Sequence, residues 1–250
     1  MKQAYPKNNK IHQGVVLQLV STLLYLIGSV AIADDTPLRI NWSAPKDGLQ
    51  RATLLDGKAH AFRIDLRRLK LTVSQSSEGK YVHELAESTK AVLAVNGNFF
   101  DPEYRAQGLL ISEYAELSRF KKVDWGVFAI KAKRASLVHS RQWNSNRAKK
   151  AEFAVQCGPR LVVNYRVLNL KTQWARRTAI GIEKNPHYVL MLVVDKRILT
   201  SDLAQLMKNL GARYAMNLDG GSSTQLWTHD KSQAKLKGVR VANAILVTKR

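Results

Sequence analysis

The chain has 250 residues, with 40 Lys and Arg against 19 Asp and Glu, a formal charge of +21 and a single cysteine. This length supports one sizeable hydrophobic core, and one thiol excludes an internal disulfide as its support. The positive surplus favours anionic partners, but the basic residues are scattered and show no zinc-finger spacing, RNP pattern or basic zipper, so nucleic acid is not expected among them.

Lys2, Lys7 and Lys10 precede an uncharged run from Val15 to Ile27, and Ala31 and Ala33 form a small-x-small cleavage pattern. Residues 1–33 therefore read as a secretory signal with a periplasmic or extracellular destination. An uncleaved N-terminal membrane anchor is the alternative, because Ile11 to Ala33 is nearly long enough to span a bilayer. Cleavage would remove three lysines and no acid, so the exported chain would keep a formal +18. An exported basic protein is expected to meet phosphorylated or acidic glycans, or the anionic envelope surface.

Residues 34–61 mix Pro37, Pro45, Gly48 and several aspartates and read as a linker or an irregular entry to the domain. Residues 62–250 are expected to form one globular domain of mixed α/β (α+β) class, with a mixed twisted sheet and few helices. Phe62, Ile64 and Leu66, then Leu69, Leu71 and Val73, alternate with polar residues and predict strands. The stretch HELAESTK predicts a short helix, and AVLAV, residues 91–95, a strand entering the loop NGNFFDPEYRAQG. Further strands are predicted at residues 125–130 and 135–138, before a polar, exposed interval at 139–150.

The run HYVLMLVVD is apolar enough for a strand covered on both faces. A helix follows, with Ser201 as its predicted N-cap, Leu203, Leu206, Met207 and Leu210 on one face, and Gly211 just past its end. A strand over residues 213–218 then delivers Asp219 at its carboxyl end, the edge where crevices form in β/α arrangements. Residues 239–247 supply a closing strand.

Several motifs lead nowhere. HELAE at residues 83–87 lacks the second histidine of a zinc protease helix. GGSST lacks the spacing of a nucleophile elbow. The six histidines are dispersed, and Cys157 has no nearby histidine partner and reads as a small buried residue.

Four segments share one character, a strand-like run ending in a small polar loop: AVLAVNGNFFDP, AVQCGPRLV, RRTAIGI and AMNLDGGSST. In this order they resemble the phosphodiester glycosidase family over about Ala91 to Val247. Asn96, Gly97, Phe99 and Phe100 match the first family motif, and Gln156, Gly158, Pro159 and Leu161 the second. Arg177 to Gly181 match the third, and Leu218 to Gly221 with Ser223 and Thr224 the fourth. Asn98 and Ser222 stand where glycines are usual, which adds side chains inside the pocket.

The resemblance implies hydrolysis of the bond between a sugar and phosphate, with a phosphorylated or anionic glycan as substrate. The leaving phosphate monoester has a second pKa of about 6 and needs neutralisation more than protonation. Arg177 is the candidate bidentate donor, and the N–H groups at Gly220 and Gly221 a candidate nest. An oxocarbenium-like centre calls for a carboxylate, with Asp219 preferred over Asp101. Asn96, Asn98, Ser222 and Ser223 would hold sugar hydroxyls or phosphate oxygens. A divalent cation is compatible with Asp219 and backbone carbonyls, and no other cofactor is implied. The competing expectation is a non-catalytic module that binds anionic polysaccharide in envelope or exopolysaccharide assembly, for which the Asp219 carboxylate would be dispensable.

Overall fold

The computed structural model describes residues 40–230 and 235–250; the expected signal segment lies outside them, and the described residues contain no helix long and apolar enough to cross a membrane. In chain order the strands are β1 (Leu49–Leu54), β2 (Ala59–Asp65), β3 (Leu69–Lys80), β4 (Ala91–Asn96), β5 (Leu110–Ser112), β6 (Ala115–Ser118), β7 (Gly126–Lys131) and β8 (Arg134–His139). They continue as β9 (Phe153–Cys157), β10 (Arg160–Val163), β11 (Arg166–Val167), β12 (Trp174–Ile182), β13 (Tyr188–Leu199), β14 (Tyr214–Asn217), β15 (Leu226–Thr228) and β16 (Val241–Lys249). The helices are α1 (Val82–Glu87), α2 (Ser145–Ala148) and α3 (Thr200–Asn209).

Three sheets result, in the orders β1-β2-β13-β12-β14-β10-β11, β15-β4-β16-β3 and β6-β5-β9-β7-β8. Every pairing is antiparallel. The fold is thus β-rich with few helices, and the expected mixed sheet is replaced by antiparallel ones. The sequence of β13, α3 and β14 does read as a β-α-β unit. However, β12 pairs with both strands and lies between them, so the two parallel strands of that unit never touch. A split β-α-β arrangement of this kind leaves a helical crossover in the sequence without a parallel ladder in the sheet.

The alternation along β13 explains its continuous hydrophobicity. Val189, Met191 and Val193 enter a central core shared by all three sheets, with Phe128, Phe153, Leu93 and Ile245. Leu190, Leu192 and Val194 face the other way, into a second core under Leu203 and Met207 of α3. Gly181 on β12 lets the helix approach, since a Cβ there would lie 2.6 Å from the Met207 methyl group. On the four-stranded sheet, α1 covers Ala94, Ala244 and Leu246.

Three local expectations shift. The stretch to residue 61, expected to be a linker or an irregular entry, contains β1 and the start of β2, joined by a turn with Leu55, Asp56 and Gly57 at positive φ; Leu49 and Ala52 are buried, but Arg51 and Thr53 break the apolar period. The N-cap of α3 is Leu199, whose N–H is accepted by the Asp202 carboxylate at 3.2 Å, rather than Ser201. Gly211, by contrast, follows the helix at φ 93°, as a C′ glycine should.

Candidate functional site

All three sheets send a strand end to one place. Asn96 ends β4, Cys157 ends β9 and Asn217 ends β14, and the loops beyond them are stitched together by backbone and amide groups. The Asp219 N–H donates to the Gly97 carbonyl at 3.0 Å, Leu218 N–H to Thr178 O at 2.9 Å and Asn217 N–H to Pro159 O at 2.9 Å. Each of the four sequence segments therefore meets the others here.

Asn96 is the central clamp and is fully buried. Its Nδ2 donates to the Asp219 carbonyl at 2.7 Å, while its Oδ1 accepts from the Thr178 hydroxyl at 2.7 Å and the Gln225 N–H at 3.1 Å. Asn98 is equally committed. Its N–H and its Oδ1 meet the side chain of Asn243 at 3.0 and 2.9 Å, and its Nδ2 reaches the carbonyls of Gly108 and Gln156. Both asparagines, expected to hold substrate, spend their polar atoms holding the protein. Gly97 is obligatory beside them, because a Cβ would lie 1.9 Å from Asn243 Oδ1.

Asp219 stands on this support, half-buried. Its Oδ1 accepts the Gly220 N–H at 2.9 Å. Burial pushes the carboxyl above its ordinary value, against the opposing pull of hydrogen bonds from the Ser223 side chain and the Gly220 N–H. A Cβ on Gly220 would come within 2.8 Å of the Arg176 carbonyl, and Gly221 adopts φ 61° with open space around it. Among the described residues, the N–H groups of Gly221 and Ser222 in the turn Gly221–Ser223 meet no acceptor outside the turn. Ser222 is exposed and Ser223 buried.

Beneath lies Cys157. Burial first, and then the charge of Asp219, push its thiol up, although the N–H groups of Gly158 and Phe99 oppose them. A thiol held protonated in this way is a packing group and not a nucleophile. Trp125 packs against Gly158, where a Cβ would lie 2.6 Å from the indole, and its ring meets Phe99 at 5.0 Å between centroids. The two rings form a half-buried aromatic wall.

Two expected members are elsewhere. On β12, Thr178 faces Asn96, so the neighbouring Arg177 faces α3, where it donates to Thr200 Oγ1 at 2.8 Å and to the Gln173 carbonyl. It is buried, its pKa is lowered by burial with no carboxylate contributing, and its Nε has no partner. Asp101 closes its own loop instead. It accepts from the N–H groups of Glu103 and Arg105, from Arg105 Nε at 2.8 Å and from Gln107 Nε2 at 3.0 Å. Burial works to raise its pKa, but the Arg105 hydrogen bonds and charge outweigh it and hold the carboxyl low.

Asn243, Gln225 and Trp125 escaped the sequence reading of the site, and Gln156 entered it only as a motif match without a role. Gln156 binds Leu109 N–H and Lys121 N–H with Oε1, each at 3.0 Å, and the Lys121 carbonyl with Nε2 at 2.7 Å. The signal for Asn243 was there: a lone amide inside VANAILV must find partners or cost free energy. Among the described residues no group of three or more His, Cys, Asp or Glu gathers as a metal site. Asp219 and nearby carbonyls are the oxygen donors that remain for a cation.

Residues 89–248 match the phosphodiester glycosidase family. The catalytic domain of zebrafish N-acetylglucosamine-1-phosphodiester alpha-N-acetylglucosaminidase, auto-inhibited by its pro-peptide, superposes with a TM-score of 0.63 at 14% identity, covering 85% of this chain and 82% of that one. A hypothetical protein from Synechocystis gives 0.60 at 15% identity, with 85% and 64% covered. These likenesses establish a shared fold. No curated protein sequence matches the chain. With residues 89–248 carrying the family's pattern and its four segments gathered around Asp219, the chain belongs to the phosphodiester glycosidase family.

Proposed function

We propose that this protein is an exported hydrolase that cleaves the bond between a sugar's anomeric carbon and phosphate in a phosphodiester-linked glycan. The observation that carries the reading is the Asp219 carboxylate, half-buried and raised in pKa at the convergence of all four motif loops. A carboxylate more basic than usual is suited to take a proton from water. The water oxygen bonds to the anomeric carbon, the bond from that carbon to the phosphate oxygen breaks, and the electron pair leaves with phosphate. Its second pKa of about 6 makes general-acid help largely unnecessary, which fits a site with one free carboxylate.

The N–H groups of Gly221 and Ser222 are the groups that would receive the phosphate oxygens, with the Ser222 hydroxyl beside them. The Phe99–Trp125 wall would pack against a sugar face. Arg177 supports the loop from the α3 side and does not serve as the phosphate clamp. Export and an envelope or exopolysaccharide setting rest on the N-terminal sequence and the basic surplus.

The test is release of free sugar from a panel of sugar-1-phosphodiesters by the wild-type chain and by Asp219→Asn. Release lost in a folded Asp219→Asn protein supports the hydrolase. Absence of release from every member, with glycan binding intact in Asp219→Asn, overturns it in favour of a binding module.

A further inference from the structure

Strand β12 outruns its neighbours. Its ladder with β14 ends at Ala179 opposite Asn217, and β2 leaves β13 at Val194. From Trp174 to Arg177, β12 therefore continues with β13 alone, as a two-stranded arm that passes the start of the Asp219 loop. The arm touches that loop through its backbone, since a Cβ on Gly220 would lie 2.8 Å from the Arg176 carbonyl.

The faces of the arm are set by their partners. Ala175 lies opposite Ile198, which belongs to the core under α3, and Arg177 donates to Thr200 at the start of α3. Trp174, Arg176 and Thr178 alternate with them and share the other face. Thr178 donates to Asn96, the clamp beneath Asp219. Arg176 comes next: it pairs with Asp195 and donates to the Lys237 carbonyl at 3.1 and 3.2 Å, in a segment whose Val239 N–H donates to the Ser222 carbonyl at 3.0 Å. Trp174 is the outermost, about 7 Å beyond Arg176 and about 13 Å beyond Thr178 at the rise of an extended strand.

Trp174 is 54% exposed, the one exposed tryptophan among the described residues. Among those residues no aromatic ring and no cation packs on its indole. Lys196 and Arg197 on β13 and Lys237 beside Arg176 are exposed, and Arg197 reaches the Trp174 carbonyl at 3.5 Å. The two acids at this end are engaged, Asp195 by Arg176 and Asp202 by the Leu199 N–H. A bare indole within a basic rim matches an acidic sugar. The C–H groups on one face of a pyranose meet the negative face of the ring, and its carboxylate or phosphate is drawn to the cations.

We propose that Trp174 is the platform of an outer subsite, where the substrate continues beyond the phosphate as an acidic oligosaccharide. This rests on the proposed hydrolase in one respect: the N–H groups of Gly221 and Ser222 mark the phosphate, and their turn is the part of the site that the arm touches. The released sugar then packs on Phe99 and Trp125, and the remaining glycan runs along the arm. Trp174 touches no reacting atom and sets which glycans are held.

The experiment titrates trigalacturonate, an acidic oligosaccharide with no sugar–phosphate bond, into the full-length protein by calorimetry, so that hydrolysis does not enter the reading. The variants are Trp174→Ala, Trp174→Phe, Asp219→Asn and Tyr114→Ala, the last removing an aromatic ring that is 67% exposed between β5 and β6. The expected result is saturable binding that Trp174→Ala weakens about three- to tenfold, the scale of one aromatic stacking contact, and Trp174→Phe weakens less. Tyr114→Ala and Asp219→Asn leave it unchanged, and the Trp174 variants melt with the wild type. Equal affinity in wild type and Trp174→Ala overturns the proposal, as does an equal loss in Tyr114→Ala, a lowered melting temperature that accompanies the loss, or no saturable binding. None of these outcomes touches sugar release by Asp219, and a lack of sugar release alongside Trp174-dependent binding would strike the hydrolase alone.

Discussion

The loops after β4 and β14 each carry one aspartate, and the two carboxylates have opposite surroundings. Asp101 receives hydrogen bonds from Glu103, Arg105 and Gln107 and is held low in pKa. Asp219 accepts the N–H of its own neighbour and a Ser223 contact, is paired with no cation among the described residues and is pushed up by burial. A saturated carboxylate has no capacity left for a substrate, so Asp101 organises its loop. An under-supplied one remains basic and open to water, which is why the proposed chemistry is assigned to Asp219. The difference lies in what each loop's backbone offers and not in the residue type.

The largest effect that would break this contrast is catalytic. Asp219→Asn should lower sugar release by about 10²–10⁴-fold while the protein still melts cooperatively. Asp101→Asn should leave kcat within a small factor and lower the melting temperature. Equal losses of kcat in the two variants would make the distinction wrong.

The next effect concerns the support beneath Asp219. Asn243→Ala strips partners from the backbone N–H and the Oδ1 of Asn98, both buried, and should cost on the order of 3 kcal/mol in denaturant unfolding. A loss in activity with unchanged stability would instead make Asn243 a substrate contact.

How much of this was legible in the sequence depends on range. The helix of Leu203 and Met207, its C′ glycine Gly211 and the doubly covered strand at residues 188–199 follow from local periodicity, because burial on a face repeats with the backbone period. The order of the four segments pointed to loops that the fold does bring together around Asp219. Their side-chain directions were not legible, since the bulge between Ala175 and Arg177 sets which face Arg177 takes, and one residue of register exchanges the faces. The strand inserted between β13 and β14 was equally hidden, being a pairing decision among distant segments.

Arg177→Ala sharpens the comparison at intermediate size. With its guanidinium on Thr200 and the Gln173 carbonyl, its loss should cost about 1–3 kcal/mol of stability and leave KM for a phosphodiester nearly unchanged. A rise in KM without loss of stability would restore it as the phosphate ligand. Gly221→Ala is smaller still: nothing crowds the added methyl, and φ of 61° is the whole penalty, about 1 kcal/mol.

The smallest effect is a pH dependence of stability, and its sign differs between the two aspartates. Asp219 has a raised pKa in the folded protein, so its proton is held more tightly there than in the unfolded chain, whose value is about 3.9. Its contribution to stability is therefore complete below that value and is lost as pH rises through the folded pKa. Asp101 is lowered, so its contribution is present above the unfolded value and is lost as pH falls through the folded one. Relative to wild type, Asp219→Asn should gain stability as pH rises from the acid range toward neutrality, and Asp101→Asn should lose it. Thermal melts of the three proteins across that range measure both differences. Curves that move in the same direction would mean that the two loops treat their carboxylates alike, and the assignment of chemistry to Asp219 would lose its electrostatic basis.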